Sequence, residues 1–276
     1  MPATATEGYE IPVGAENRKN GQLLPTTSVP SRERMNMRLC RPVAALVLFC
    51  ALPAHAGPKL EFPVKNLVMD IGGVLVSLSP AEFTARMTPI AGSLEAPAFR
   101  AVVESFETGG ASEAAFLSGL RALLPENRTL SDEDIASAWN SQIGAADCDA
   151  MRMLRALKSK GFKVFTLSTT NPLHVKVIEA RMRGCFPGEE RDALEAVFDR
   201  RFYTCELGLL KPSPAIYKKM LAQGGMEGAK TLFLDDSPGN VVGAQQAGLF
   251  SLLVPTIGAG PRYVDWLPKL VGEPAP

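Results

Sequence analysis

The chain has 276 residues, and its 29 Lys and Arg balance its 29 Asp and Glu, so the formal net charge at pH 7 is zero. With 46% hydrophobic and 21% charged residues, it has the composition of a folded globular protein rather than of a fibre or a disordered chain. Nucleic-acid binding requires a basic patch or run, so the balanced charge argues against DNA or RNA as a partner.

Residues 1–34 differ in composition from the rest of the chain. They are polar, rich in Pro, Thr, Gly and Asn, and show neither helical nor strand periodicity. We expect them to be disordered, or to be translated sequence upstream of a true start near Met35.

Residues 35–56 have the pattern of a bacterial signal peptide. Arginines precede the apolar stretch Val43–Leu52, and Ala54-His55-Ala56 provides a small-x-small cleavage site. The apolar stretch is about half of the ~20 residues that span a bilayer. We therefore expect cleavage after Ala56, export to the periplasm or the medium, and no membrane attachment afterwards; a cytoplasmic location is the alternative.

Three cysteines lie beyond the predicted cleavage site: Cys148, Cys185 and Cys205. They form no C-x-x-C pair and have no histidine at metal-ligand spacing, so a zinc site is not expected. Export would permit a disulfide such as Cys185 to Cys205, but buried thiols are equally compatible with the sequence.

Short apolar runs alternate with longer helical patterns after residue 57. Each run is too short for a helix, and several are rich in Val, Phe, Tyr or Thr, which is typical of buried strands. The predicted strands are Leu67–Met69, Lys163–Leu167, Arg201–Thr204, Thr231–Leu234 and Phe250–Val254. Alternation of this kind predicts an α/β fold with a parallel sheet and helices on both faces.

Several helices have clear start and stop signals. A capping residue precedes a proline at Asn171, Ser213 and Ser237, which is the preferred arrangement at a helix N-terminus. Gly224 and Gly248 are the corresponding stops.

The segment 79–147, between the first two of these strands, has helical patterns only. The predicted helices are Pro97–Phe106, Glu113–Leu124 and Asp132–Gln142. We expect this segment to form a small helical cap over the carboxyl ends of the strands, where ligands bind in open α/β sheets. Residues 57–78 and 148–276 are then the core domain.

Polar residues follow the strands at the points where they end. Asp70 ends the first strand, Ser168 the second and Asp235-Asp236 the fourth, and Lys211 follows the third by a short loop. Two or three carboxylates at one sheet edge form a hard oxygen site suited to Mg²⁺, and a lysine and a hydroxyl beside them can hold phosphoryl oxygens. Helices beginning at Pro172 and Pro238 add backbone donors at the same edge, so the implied ligand is an anion, with phosphate the favoured one.

Four segments together resemble one known family. They are VMDIGGVLV, FTLSTTN, GLLKPSPAIY and LFLDDSPGNVVGAQQAG, in this order and each at a strand end. They are similar to the four motifs of the haloacid dehalogenase-like (HAD) superfamily, most closely to bacterial sugar-phosphate phosphatases of the glucose-1-phosphatase kind. The resemblance covers residues 64–254.

The resemblance implies a Rossmann-like core, a helical cap and phosphate-ester hydrolysis through an aspartyl-phosphate. Asp70 would be the nucleophile, a role in which a carboxylate divides one difficult displacement into two easier ones. The phosphate-binding residues would be Ser168, Thr169, Lys211 and Gly73. The Mg²⁺ ligands would be Asp70, the backbone carbonyl of Gly72, Asp235 and Asp236. The substrate would be a small phosphorylated metabolite, such as a sugar phosphate.

Gly72 departs from the family pattern. Most phosphatases of the superfamily have at this position a second Asp that acts as general acid and base, a contribution of roughly 10²–10⁴-fold in rate. Two hypotheses follow: a phosphatase that is slower but real, or a HAD-like protein that binds a phosphorylated ligand or partner without turnover. A dehalogenase is disfavoured, because that chemistry leaves Asp235 and Asp236 without a role.

Other polar and aromatic residues near the motifs have structural interpretations of equal or greater weight. Thr169 stands where the family has Asn, and Asn171 is expected to be a helix cap. His174 is expected to pack or to support the site, and Asn240 is a candidate for orienting the metal-site acids. The aromatic residues of the cap segment, Phe106, Phe116 and Trp139, are expected to form its core.

Overall fold

The computed structural model describes residues 63–189 and 193–274. The predicted extension (1–34) and signal peptide (35–56) lie outside the described residues. In the part of the chain that is described, no helix is both long and apolar enough to cross a membrane.

The core of the described chain is a five-stranded parallel sheet with the strand order β5-β4-β1-β6-β7. Its strands are β1 (Asn66–Met69), β4 (Lys163–Ser168), β5 (Arg200–Tyr203), β6 (Thr231–Asp235) and β7 (Phe250–Leu253). The predicted parallel α/β, Rossmann-like fold is confirmed, and the strand bounds agree with the prediction to within one residue. A second, antiparallel pair, β2 (Val76–Leu78) with β3 (Ile143–Ala146), was not predicted.

Helices surround the sheet and fill the segment between β2 and β3. That segment contains α1 (Pro80–Ala91), α2 (Pro97–Glu107), α3 (Glu113–Arg121) and α4 (Asp132–Asn140). The remaining helices are α5 (Cys148–Ser159), α6 (Pro172–Arg183), α7 (Ala193–Val197), α8 (Thr204–Leu207), α9 (Pro214–Gly224), α10 (Pro238–Gln246) and α11 (Leu267–Val271).

Two of the three predicted proline-linked caps form side-chain hydrogen bonds. Asn171 Oδ1 accepts from the backbone N–H of His174, and Ser213 Oγ accepts from that of Ala215. The Ser237 side chain makes no capping bond, and its backbone N–H donates to Asp235 Oδ1 instead. The start of α10 is therefore tied to the acid that ends β6.

The strands bury alternate residues on opposite faces of the sheet. Leu67 and Met69 of β1 belong to one apolar cluster, with Val164 of β4, whereas Val68 belongs to the other, with Phe165. Because successive strand side chains point to opposite faces, continuous apolar runs are what a sheet covered on both faces requires.

The helices α1 to α4 pack around an apolar cluster of their own. It includes Phe106, Phe116 and Trp139, as expected for cap core residues, and only Leu173 joins it from outside this segment among its buried members. The β2–β3 pair connects these helices to the sheet, so we refer to α1–α4 as the cap. The boundary between cap and core at residues 79 and 147 stays a prediction.

A disulfide joins Cys148, the first residue of α5, to Cys185, just after α6, with the Cα atoms 5.1 Å apart. The suggested pair Cys185–Cys205 is therefore wrong, and Cys205 is free. Cys148 and Cys185 both pack against the same apolar cluster. Cys205 lies in α8 against the cap, and its backbone carbonyl oxygen is so close to Gly109 that a Cβ added at Gly109 would overlap it. Burial raises the pKa of the Cys205 thiol to about 11.

Candidate active site

Asp70 directly follows β1 at the carboxyl edge of the sheet. Met69 is level with Thr166 of β4 and Leu234 of β6, and the Asp70 N–H donates to the Leu234 carbonyl at 2.9 Å. The residue is only 6% exposed. The apolar run thus carries one carboxylate to the centre of the sheet edge, between two neighbouring strands.

The two glycines after Asp70 turn the chain tightly. Gly73 has φ +79°, a left-handed conformation that side chains disfavour, and its N–H donates to the Val76 carbonyl at 2.8 Å. Its carbonyl accepts from the N–H of Ile257, also at 2.8 Å. This turn reverses the chain into β2 and brings its backbone against the loop that follows β7.

Lys211 lies between two acids. Its Nζ is 2.8 Å from Asp70 Oδ1 and 2.7 Å from Asp235 Oδ2, and its side chain is 3% exposed. Burial alone would lower the pKa of Lys211, but the neighbouring charges of Asp70 and Asp235 reverse this and raise it. The lysine is therefore a fixed positive charge at the sheet edge.

Asp235 is fully buried, and both of its carboxylate oxygens are occupied. Oδ1 accepts from the Ser237 N–H at 2.8 Å, Oδ2 accepts from Lys211 at 2.7 Å, and the Asn240 amide donates to each oxygen at 3.0 Å. Three donor groups, making four hydrogen bonds, hold this carboxylate in one orientation. Asn240 thus contacts the acid that it was expected to orient.

Asp236 is held differently, by a residue that the sequence analysis missed. The hydroxyl of Thr256 donates to Asp236 Oδ2 at 2.7 Å. Thr256 follows β7, so it reaches the same sheet edge as the other site residues. Its position just beyond a predicted strand was a signal available in the sequence.

The three acids fit a divalent cation. One carboxylate oxygen from each of Asp70, Asp235 and Asp236 lies within 4.8 Å of the other two. An all-oxygen donor set with several carboxylates suits Mg²⁺, which keeps some of its water ligands. Asp70 and Asp236 have the fewer hydrogen bonds and would bind such an ion directly, while Asp235, with its four hydrogen bonds, would support them.

Burial raises the pKa of Asp70 to about 6, and the ammonium of Lys211 opposes that shift. The carboxylate is still mostly ionised at neutral pH. An ionised, poorly solvated carboxylate beside a fixed ammonium is what a nucleophile or a metal ligand requires at this position.

The remaining predicted phosphate-binding residues lie at the same edge. Ser168 ends β4 and is 3% exposed, and Thr169 follows it and is exposed. Because β4 runs parallel to β1 with Thr166 level with Met69, both residues lie at the edge of the sheet where Asp70 follows β1. Gly73 approaches Asp236 closely, since a Cβ added at this glycine would overlap Asp236 Oδ2.

His174 is directed towards the cap and away from the acids. Its ring stacks on Trp139 with the centroids 4.9 Å apart, and its Nε2 lies 3.1 Å from the Trp139 carbonyl. Burial lowers the pKa of His174 to about 4, so the ring is neutral at physiological pH. Asn171, expected to be the N-cap residue of α6, also contacts both His174 and Trp139.

The two glycines offer a matched pair of substitutions. A Cβ on Gly73 would overlap Asp236 Oδ2 and would also require a left-handed alanine, whereas a Cβ on Gly72 would meet only Leu78 methyl groups, at 3.5 Å. We expect Gly73→Ala to lower kcat/KM about 10²-fold, because it displaces a site carboxylate. Gly72→Ala should cost no more than about threefold, because only ordinary van der Waals contacts are added. Steady-state assays with Mg²⁺ titrations would measure both; equal losses would contradict this account.

Glu107, at the end of α2 in the cap, is a residue with a perturbed pKa that the sequence analysis did not single out. Burial raises its pKa to about 7 from 4.5. A raised carboxyl pKa means that the folded state loses stability as pH rises through that range. Glu107→Gln should therefore match the wild type near about pH 5 and exceed its free energy of unfolding by about 1–3 kcal/mol near about pH 8. Urea unfolding at both pH values tests this. The control is Glu126→Gln, at an exposed position, which should match the wild type in free energy of unfolding at both pH values.

Comparison with known proteins is consistent with this geometry. A family model described as haloacid dehalogenase-like hydrolase matches residues 64–248. A D-ribitol-5-phosphate phosphatase from Bacteroides thetaiotaomicron is 26% identical over 214 residues, which cover 75% of this chain and 97% of that protein.

Solved structures give the same result. A HAD family enzyme from Bacteroides thetaiotaomicron, solved as a magnesium complex, is 27% identical with a TM-score of 0.64, covering 74% of this chain and 98% of that one. The same enzyme with magnesium and inorganic phosphate has a TM-score of 0.62 at 26% identity, covering 73% and 98%. A HAD-like family hydrolase from Porphyromonas gingivalis has a TM-score of 0.64 at 26% identity, covering 76% and 98%.

Proposed function

The chain belongs to the haloacid dehalogenase-like hydrolases, and we propose that it is a Mg²⁺-dependent phosphatase that cleaves a small phosphate monoester through a phosphorylated Asp70. The observation that carries this proposal is the cluster of three carboxylates within 4.8 Å, with the Lys211 ammonium between two of them. The phosphatase from Bacteroides thetaiotaomicron and the magnesium and phosphate complexes support it.

In the proposed reaction, a carboxylate oxygen of Asp70 attacks phosphorus. The bond from phosphorus to the leaving oxygen breaks, and its electron pair stays on that oxygen, which takes a proton from water. A water molecule then attacks phosphorus and loses a proton, which neutralises the hydroxide left by the first step, while the P–O bond to Asp70 breaks; inorganic phosphate and the free carboxylate result. Lys211, Ser168 and Thr169 hold the oxygens of the transferring group. Bound Mg²⁺ would supply charge neutralisation for those oxygens.

Gly72 determines how the leaving oxygen is protonated. Glycine has no side chain, so no acidic group projects from this position, and the space that a Cβ would enter is bordered by Leu78. When water protonates the leaving oxygen, the reaction lacks the roughly 10²–10⁴-fold rate enhancement that a positioned acid contributes. The proposed enzyme should therefore be slow with strongly basic leaving groups and faster with weakly basic ones.

The proposed substrate is a small phosphorylated metabolite such as a sugar phosphate. In the described chain the cap is built from four short helices, α1 to α4, around one apolar cluster. A cap of this size suits a compact substrate. It offers no extended basic surface of the kind that a polyanion would need.

Phosphate release from p-nitrophenyl phosphate and a panel of sugar phosphates, with Mg²⁺ and with a chelator, tests the function. We expect steady turnover that requires Mg²⁺. Binding of a phosphorylated compound without phosphate release, even at high protein concentration, would replace the proposal with a ligand-binding role. Turnover of haloacids that a chelator does not affect would overturn it in favour of a dehalogenase.

We also propose that the protein is exported. The signal-like segment 35–56 supports this, and so does the Cys148–Cys185 disulfide, because disulfides persist in oxidising compartments. N-terminal sequencing of the protein from its native host should find Gly57 first. An intact Met1 or Met35 in a cytosolic fraction, with Cys148 and Cys185 reduced, would refute export.

A further inference from the structure

Trp139 connects the cap to the core of the described structure. The residue is 2% exposed, and its ring makes edge contacts with Phe83, Phe99 and Phe116 at centroid distances of 5.4, 6.4 and 4.9 Å. Its polar atoms, however, bind core residues: Nε1–H donates to Asn171 Oδ1 at 3.2 Å, and the carbonyl lies 3.1 Å from His174 Nε2. One cap side chain is thus packed in the cap and hydrogen-bonded to the core.

The hydrogen bonds around Asn171 are mutually determined. Its Oδ1 accepts from Trp139 Nε1–H and from the His174 backbone N–H, so the amide nitrogen must face His174 Nδ1, at 3.2 Å. An N–H₂ donor makes Nδ1 an acceptor, and the ring proton therefore resides on Nε2, where it is donated to the Trp139 carbonyl. Reversing the orientation of any one of these groups would break the hydrogen bonds of the others.

Asn171 is also part of the segment 168–171, which contains the predicted phosphate-binding residues. On the core side, the Thr204 hydroxyl accepts from the Thr170 N–H and donates to the Thr170 carbonyl, both at 3.0 Å. On the cap side, Asn171 is bound by Trp139. Ser168 and Thr169 thus lie in a segment held by the core on one side and by the cap on the other.

We propose that Asn171 is a positioning residue that couples the seating of the cap to the phosphate-binding segment. When Trp139 is in place, Asn171 holds Ser168 and Thr169 in the geometry that binds phosphoryl oxygens. When the cap separates, this support is lost. The proposal rests on the proposed function of segment 168–171 as a phosphate site, and it assigns to Trp139, Asn171 and His174 a role beyond cap packing.

Substrate and product binding provide the first test. Trp139→Phe keeps an aromatic ring, smaller than the indole, but removes the N–H, and Asn171→Ala removes all the side-chain hydrogen bonds of Asn171. Trp139→Phe loses one buried hydrogen bond, which should raise both KM and the inhibition constant of inorganic phosphate about 5–10-fold, with kcat changed less. Asn171→Ala should raise both constants at least as much. The control, Glu113→Gln, removes an exposed ion pair between α3 of the cap and Lys176 of the core. It should change neither constant more than about twofold.

A conservative variant adds a pH readout. In Asn171→Asp, the second carboxylate oxygen faces His174 Nδ1, so the bridge is restored only when the ring is protonated. The affinity of this variant for inorganic phosphate, measured as inhibition, should approach that of the wild type at acidic pH and weaken as pH rises. The other groups around the ring are the Trp139 carbonyl and its indole, neither of which titrates here; the Lys176–Glu113 pair is on the exposed side of α6. A variant whose phosphate affinity follows the wild type at all pH values would overturn the proposal.

Fluorescence separates this proposal from the proposed catalysis. The chain has two tryptophans, Trp139 and Trp266, so Trp266→Phe leaves Trp139 as the reporter. Inorganic phosphate with Mg²⁺ should change its emission, and Asn171→Ala in the same background should remove that change. This result is expected even if no substrate is turned over. An unchanged emission, or an equal change in both proteins, would overturn the coupling while leaving hydrolysis untouched.

Discussion

Replacing Asp70 with asparagine should abolish phosphate release, lowering kcat by roughly 10⁴-fold or more, because an amide oxygen does not form the covalent intermediate. The fold should persist, since the asparagine Oδ1 can still accept from Lys211 Nζ, which lies 2.8 Å from the carboxylate oxygen in the wild type. Single-turnover assays with radiolabelled substrate would show whether label becomes attached to the wild-type protein and not to the variant.

The control for this substitution is Asp149→Asn, which alters an exposed acid paired with Arg152 and Arg262. Its activity should match that of the wild type, because it touches no residue of the site. If Asp70→Asn kept activity within about tenfold of the wild type, with unchanged thermal unfolding, the covalent route would be wrong. Any remaining hydrolysis would then have to come from direct attack of water on phosphorus.

Replacing Lys211 with methionine should have the largest effect on stability. The ammonium is 3% exposed between carboxylates that are 9% and 0% exposed, so its removal leaves two buried like charges without a counter-ion. Breaking a buried pair in this way costs about 3–5 kcal/mol of unfolding free energy. Activity should be lost as well, because a charge that holds phosphoryl oxygens is removed. Urea unfolding in a chelator would measure the stability.

Two conditions should reduce the loss in Lys211→Met. Mg²⁺ should stabilise the variant more than the wild type, because it neutralises the same carboxylates. Acidification should also help: burial already raises the pKa of Asp70 to about 6, and without the lysine it rises further, so protonation restores stability as pH falls.

The comparison is Lys230→Met, at an exposed pair with Glu227, which should cost less than about 1 kcal/mol. A Lys211→Met protein within about 1 kcal/mol of the wild type in chelator would contradict the assigned role of the buried ammonium.

The sheet and the location of the site were largely predictable from the sequence. Short apolar runs that end in Asp70, Ser168 and Asp235 indicate buried parallel strands, and parallel strands that alternate with helices have their carboxyl ends at one edge. Convergence of these side chains follows from topology alone. The pair β2–β3 was missed because β2 is three residues long and β3, with the sequence Ile-Gly-Ala-Ala, has only one of the β-branched residues typical of strands.

The partners of individual side chains were not predictable in the same way. The disulfide joins Cys148 to Cys185 and leaves Cys205 free, although all three cysteines were available. His174 stacks on a cap tryptophan 35 residues earlier in the chain rather than on the site acids. Thr256, which holds Asp236, was overlooked although it follows a strand that was predicted.

The sequence by itself determined the order of strands and helices along the chain, the presence of Asp70, Lys211, Asp235 and Asp236 at one sheet edge, and the absence of a side chain at position 72. Tertiary structure alone decided that Asp235 is held by four hydrogen bonds, that Gly73 lies against Asp236, and that Asn171 joins the cap to the segment after β4. The reason is physical. Periodicity and strand ends are local properties of the chain, whereas a hydrogen bond or a van der Waals contact depends on distances of a few ångströms between segments that only packing brings together.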